Sequence, residues 1–383
     1  MRQSLLYNAT IVLADDVSDE TSITINDDLI RSIGDASGAG ESFDCTGLTL
    51  FPGFIDVHIH GAMGIDVNAA DVDGLLEMAK FLSTKGVTSW LPTLVPDSDE
   101  NYARTISNID RLLEIQEGKP VAQAVGVHYE GAFANEKMCG ALRPQYFKKY
   151  PTNQLSELPR LKRGVHVTTF APEVEGGIEL TKDLVRNGWV ASIGHTKADV
   201  DTLNKAFKAG ASHLTHFYNA MTGMHHRDIG VVGWALTNPD VSFDIIADGI
   251  HVDPRMLEFA CRTKGPDRVS LISDAVAPAG LGDGEYEIWG EKVTVENGRT
   301  ENERGSIAGS VVTMLDAVKG MLSIRFTRSE VSRMAALNPA KLIGLAQSRG
   351  SIEVGKRADL VALDSNGDVK LTIIGGRVAF EGR

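Results

Sequence analysis

The chain has 383 residues; at about 150 residues per domain this suits one large domain with a small one beside it, since a single α/β barrel absorbs well over half of such a length. Hydrophobic residues at 43% and charged residues at 23% exclude a disordered scaffold, which combines low hydrophobicity with high net charge. The 51 acids against 38 lysines and arginines leave a formal charge of −13, a field that repels nucleic-acid backbones and anionic membranes.

In chain order, residues 4–33 alternate short β-branched runs with Asp, Asn and Gly, which predicts hairpin strands. Residues 350–383 repeat that texture, with Asn-Gly and Gly-Gly turns. Isolated hairpins are marginal in water, so the two ends are expected to pair into one small β domain, residues 1–50 with 347–383. Between them, residues 51–346 carry a βα rhythm. Apolar runs suited to strands buried on both faces lie at 54–61, 88–95, 124–131, 166–173, 189–196, 213–220, 241–249 and 269–276. Helical patterns at 71–86, 101–118, 179–188 and 199–210 each close on a glycine. Eight strands with intervening helices predict a (β/α)8 barrel, with an open doubly wound sheet as the alternative. Cys45, Cys139 and Cys261 are too widely spaced for a disulfide framework or a CxxC metal site. With neither a leader-like start nor a long apolar run, they predict a cytoplasmic protein.

Polar residues mark the C-terminal ends of these runs, the rim where barrel enzymes keep their chemistry. His58 and His60 are two apart, so both imidazoles face one side. Glu130, His195, His216 and Asp274 end runs three, five, six and eight. Singly, each has an ordinary structural explanation: a hydrogen-bonded histidine, or an acid capping a helix. His128, His166 and His213, earlier in their runs, are assigned to that class. Together, at equivalent strand ends, the six predict a metal site, and imidazoles with carboxylates suit Zn²⁺ first and Fe²⁺, Mn²⁺ or Co²⁺ next. An ion with three protein ligands keeps a position for water and lowers its pKa towards about 7. Asp274 is the candidate to take that water's proton.

PGFIDVHIHG, HYEG, GHT, THFYNAMTGMHHRDIG, ADGIHVDP, SDAVAPAGLGDGEY and GSIAGS, in this order, resemble the amidohydrolase superfamily and within it the N-acetylglucosamine-6-phosphate deacetylases. The resemblance implies a metal-dependent barrel with a small β-sandwich built from both termini. It implies principal ligands Glu130, His195 and His216, with His58 and His60 for a second ion in some members, hence one or two metals per subunit. Asp274 matches the general base and acid. Asn219, the backbone at Ala220, Arg227 and His251 match the groups that hold the sugar phosphate, and Ile307 with Ala308 the loop lining the sugar. A homodimer acting on a phosphorylated amino sugar is the implied assembly and partner. In a chain of this charge, His225, His226 and Arg227 would supply the local cations a phosphate needs, Arg being suited to bidentate phosphate recognition.

The chain departs from the family's pattern at one loop. Where members read EGPF or EGPY followed by Lys-Gly-Ala-His, this sequence reads Glu130-Gly131-Ala132-Phe133 and then Cys139-Gly140-Ala141-Leu142-Arg143. Ala141 keeps the position that faces the substrate, but Leu142 cannot donate the hydrogen bond of the usual His. Losing such a donor costs about 3 to 4 kcal/mol of transition-state stabilisation. Either another group substitutes, Arg143 being nearest, or the substrate differs. The latter includes the galactosamine epimer, and a non-catalytic sugar-phosphate sensor is a further alternative.

Overall fold

Residues 2–35, 40–150, 155 and 158–382 are described in the structure, a computed structural model. The eight apolar runs form parallel strands β1 (Phe54–Ile59), β2 (Val87–Leu94), β3 (Gly126–Phe133), β4 (Val165–Phe170), β5 (Val190–Ile193), β6 (His213–Leu214), β7 (Ser242–Ile246) and β8 (Val269–Ile272). They pair in sequence order from β1 to β8. The ring is joined beyond the end of β8, where Asp274 N donates to His58 O at 2.9 Å and His60 N to Ala275 O at 2.8 Å. Every residue of β1, β2 and β3 is buried, because helices cover the outside while side chains fill the inside.

The surrounding helices include α1 (Val72–Thr84), α2 (Asp99–Ile115), α3 (Gly177–Arg186), α4 (Val200–Lys208), α5 (Gly230–Thr237), α6 (Pro254–Lys264) and α7 (Met314–Ser323). Their starts are set locally: Asp71, Ser98 and Asp199 accept from the third backbone N–H beyond them, satisfying donors the helix leaves free. Leu75, Met78, Ala79 and Leu82 line the buried face of α1 at the spacing of a helical stripe. Among the described residues no helix is long and apolar enough to cross a membrane.

The two chain ends meet in two small sheets. One orders its strands as 29–33, 23–26, 3–7 and 41–44; the other as 10–11, 49–52, 360–363, 369–374 and 377–381. Thr49–Pro52 pairs antiparallel with Leu360–Leu363. Leu6, Ile11, Ile25, Leu50, Leu360, Leu371 and Ile373 pack in one cluster, the core between the sheets.

Residues 284–302, which the reading of apolar runs left unassigned, form an antiparallel three-stranded meander between β8 and α7: Gly284–Ile288, Glu291–Glu296 and Arg299–Asn302.

Candidate active site and metal centre

His195, His216 and Asp274 each stand two residues past the end of β5, β6 and β8, with φ of 47°, 36° and 48°. Sequence reading extended those strands through them. The left-handed backbone instead ends the ladder and turns each side chain into the barrel mouth. Glu130 is aimed by another device: the register of β3 against β4 slips between Glu130 and Phe133, a bulge of the kind found beside active sites. Gly131, φ 72°, makes it possible, since a Cβ there would lie 2.3 Å from Leu142 Cδ1.

The donors converge. Glu130 Oε1 is 3.0 Å from His216 Nε2, 3.2 Å from His195 Nε2 and 3.3 Å from His58 Nε2, and its other oxygen is 3.2 Å from His60 Nε2. Asp274 Oδ1 is 3.4 Å from His58 Nε2 and 3.3 Å from His60 Nε2. Glu130–His195–His216 and His58–His60–Asp274 thus form two adjoining buried triads. His60 Nδ1 faces Thr93 O at 3.2 Å and His195 Nδ1 faces Met138 O at 2.7 Å. A carbonyl only accepts, so these nitrogens carry the hydrogen, and Nε2 of the neutral ring presents a lone pair to the centre. Two imidazole-and-carboxylate triads converging in this way form a donor set that fits a divalent metal.

Burial opposes charge on Glu130, but His58, His195 and His216 outweigh it and hold the carboxyl well below its usual range. Burial likewise raises Asp274, and His58 and His60 more than reverse it, leaving a carboxylate able to accept a proton. Burial pulls His60 down, yet hydrogen bonds to Asp274 and Glu130 lift it to about 10; His216 is lifted against burial to about 9, chiefly by Glu130. His128 is the contrast. Burial and then the neighbouring His58 push it down to about 3, and it is spent on Val57 O (2.9 Å) and Thr169 Oγ1 (2.7 Å). His166 stacks on Trp189 at 4.4 Å, and His213 bonds Ser242 and Asp244. All three make the structural contacts expected of them.

A cavity of about 300 Å³ opens onto the triads, lined also by Ala141, Leu142, Asn219, Ala220, His251, Trp289 and Ile307. Ala308 is buried beside Ile307. Asp248 fixes the His251 ring through Nδ1 at 2.6 Å. Arg227 is exposed on the turn closed by His225 and Asp228, its guanidinium 2.6 Å from His226 Nε2, and it is not among the cavity's lining residues. Arg143 donates to Pro96 O and Asp97 Oδ2, both at 2.9 Å, and lies over Tyr146; it too is not part of the lining. Sequence reading missed Trp289, whose ring meets His60 edge-on at 5.3 Å.

The amidohydrolase family model matches residues 49–379. The chain is 36% identical over 336 residues to the N-acetylglucosamine-6-phosphate deacetylase of Bacillus subtilis (strain 168), covering 86% of this chain and 84% of that protein. It is also 36% identical over 332 residues to the N-acetylgalactosamine-6-phosphate deacetylase of Escherichia coli O157:H7, covering 86% and 87%. Among solved structures, the N-acetylglucosamine-6-phosphate deacetylase of Pasteurella multocida superposes with a TM-score of 0.91 at 29% identity over 99% of this chain and 100% of the other.

Proposed function

The chain belongs to the amidohydrolase family, and we propose that it removes the acetyl group of N-acetyl-D-glucosamine 6-phosphate, giving glucosamine 6-phosphate and acetate. The observation that supports this most is Glu130 set between two histidine pairs with Asp274 alongside, all on a cavity wide enough for a small ligand. The similarity to deacetylases of this substrate class supports the choice of substrate.

Glu130, His195 and His216 would hold one divalent ion, and His58 with His60 a second. Zn²⁺ is the first assignment for such sulfur-free donors, with Fe²⁺, Mn²⁺ and Co²⁺ as the other results elemental analysis could return. A bound divalent ion supplies Lewis-acid polarisation of the amide carbonyl and acidifies a water. Asp274 takes one proton from the attacking water as the new C–O bond forms. It then gives that proton to the amide nitrogen as the C–N bond breaks, because an amine anion is too poor a leaving group to depart unprotonated. Asn219, the Ala220 backbone and His251 hold the sugar phosphate, and Ile307, Ala308 and Ala141 line the sugar; fixing the distant phosphate aligns the amide. Arg227 belongs to the phosphate set in this reading. Its exposure, with Met224, Ile229, Met256 and Phe259 also exposed in nearby segments, supports a homodimer, to be read by sedimentation.

The galactosamine epimer is the second reading, favoured by Leu142 in the altered loop and by the equal 36% identities to relatives named for either sugar. Acetate release from both epimeric 6-phosphates and from the unphosphorylated sugars separates the cases. We expect the glucosamine epimer to lead in kcat/KM by at least about tenfold, with activity largely lost without phosphate. A lead for the other epimer selects the second reading, and ligand binding with no acetate from either marks a sensor.

A further inference from the structure

Trp289 occupies a backbone position that does not suit it. The meander has two tight turns of the same build, Asn297–Gly298 with φ of 52° and 76°, and Trp289–Gly290 with φ of 53° and 80°. Two-residue turns with both φ positive favour Asn-Gly, and the second turn of this meander has that pair. A bulky aromatic at the first position is an outlier, and such strain persists where a function retains it.

The ring's surroundings indicate what that function is. Trp289 packs against two apolar clusters, one of Val95, Ala134 and Leu142, the other of Val276, Ile288, Val293 and Ala308. It also meets His60 in an edge-on arrangement at 5.3 Å and lines the cavity that holds Glu130 and Asp274. Leu142 is 3% exposed, with Cδ1 against Gly131, next to Glu130. Asn219 and Ala220 follow β6, three strands round the rim from β1, which carries His58 and leads into His60. An amide carbonyl carbon carries nitrogen on one side and the acyl chain on another, and the group is planar. With the phosphate directed to Asn219, Ala220 and His251 and the sugar against Ala141, Ile307 and Ala308, the amide reaches the triads. Its acyl chain continues past the sugar towards His60, where Trp289 and Leu142 adjoin the sugar-lining residues.

We propose that Trp289 and Leu142 form the apolar wall that receives the substrate's acyl group and limits it to acetyl size. This rests on the deacetylase reading above. The ligand class is a short unbranched aliphatic acyl on the amino sugar phosphate, and each added methylene meets ring or methyl carbon rather than solvent. Discrimination of about 10- to 200-fold per methylene is what an apolar pocket achieves.

The test compares kcat/KM for the N-acetyl, N-propionyl and N-butyryl sugar phosphates in the wild type, Trp289→Ala and Leu142→Ala, with metal content measured on the same samples. The wild type should prefer acetyl over butyryl by at least about tenfold, and each substitution should lower that ratio by about tenfold or more. Loss of metal or general loosening lowers all three substrates together and leaves the ratio alone. Leu142→Ala reaches the same wall without touching the strained turn, should Trp289→Ala fold poorly. Ratios within twofold of the wild type in the folded variants overturn the wall while leaving the deacetylase reading intact. No acylate from any substrate with the wild type overturns both.

Discussion

His195, His216 and Asp274 are held at φ of 47°, 36° and 48°, each at a cost on the order of 1–2 kcal/mol for a residue with a Cβ. That conformation ends the strand ladder and leaves each side chain at the barrel mouth. Asp274 is the one acid of the site whose proposed task is to carry a proton. Asp274→Asn keeps the shape and removes that capacity, and we expect kcat to fall by about 10²- to 10⁴-fold with metal retained on Glu130, His195 and His216. A variant keeping most of its turnover would sink the assignment. The imidazoles proposed as ligands give a pH test. His60 and His216, ordinarily near 6.5, are raised to about 10 and about 9 by the carboxylates they face. In the metal-free protein their stabilisation is therefore complete below about 6.5 and lost as pH rises through 9 to 10. A metal must displace those protons, so its affinity strengthens over the same window. The gap in Tm between loaded and metal-free protein should widen from pH 6.5 to 10, other titrating groups entering both forms alike. A constant or narrowing gap counts against a metal on these residues.

At the scale of single elements, β6 is the shortest strand in the ring, only His213–Leu214, yet it leads to His216, a proposed metal ligand. Its neighbour β7 compensates. The buried Asp244 accepts from the His216 backbone N–H and from His213 Nε2 at 3.2 Å, and its backbone carbonyl accepts from Phe217 N at 2.8 Å. Asp244→Ala strands both donors, the His216 backbone N–H and His213 Nε2, in the interior, and we expect a loss of about 3 to 5 kcal/mol in stability. Weaker metal retention should accompany it, measured by denaturant unfolding and elemental analysis. Bulk stability lost without any change in metal retention would deny Asp244 its part in setting His216. The eight barrel strands were legible because strands buried on both faces read as continuous apolar runs. The meander was not, for the opposite reason: GEYEI and EKVTVE alternate buried and exposed positions, a pattern of one-faced antiparallel strands that a search for apolar runs passes over. The site suffered accordingly. The residues that converge at the strand ends could be named from position, whereas Trp289, on a turn of that meander, had only the unusual Trp-Gly pair to signal it. Arg143 could be named as a substitute donor by adjacency alone, and only tertiary structure reveals its engagement by Asp97.

For the molecule as a whole, the small two-sheet unit is not separable by cutting either end. Thr49–Pro52 runs into β1 after a single residue, Gly53, and pairs on one side with Leu360–Leu363 from the far end of the chain. The same C-terminal stretch is tied to the barrel: Arg349 donates to Ser89 Oγ of β2 at 2.5 Å and lies 3.7 Å from Asp359, and α1 packs against Arg377–Glu381. Removing residues 347–383 would expose Ile11, Leu50 and their neighbours in the cluster, which now bury against Leu360, Leu371 and Ile373, and would leave the 49–52 strand with an open edge. Each of the large side chains loses roughly 1.5–3 kcal/mol of burial, a sum comparable with the 5–15 kcal/mol that separates a folded domain from its unfolded chain. A chain ending at residue 346 should therefore be insoluble or expanded. The strand that fails would adjoin His58 and His60, so any soluble fraction should lose metal at those residues first. Circular dichroism with size exclusion reads the first expectation. A truncated chain that is compact, cooperative in unfolding and fully metal-loaded would mean that the barrel stands without the ends that embrace it.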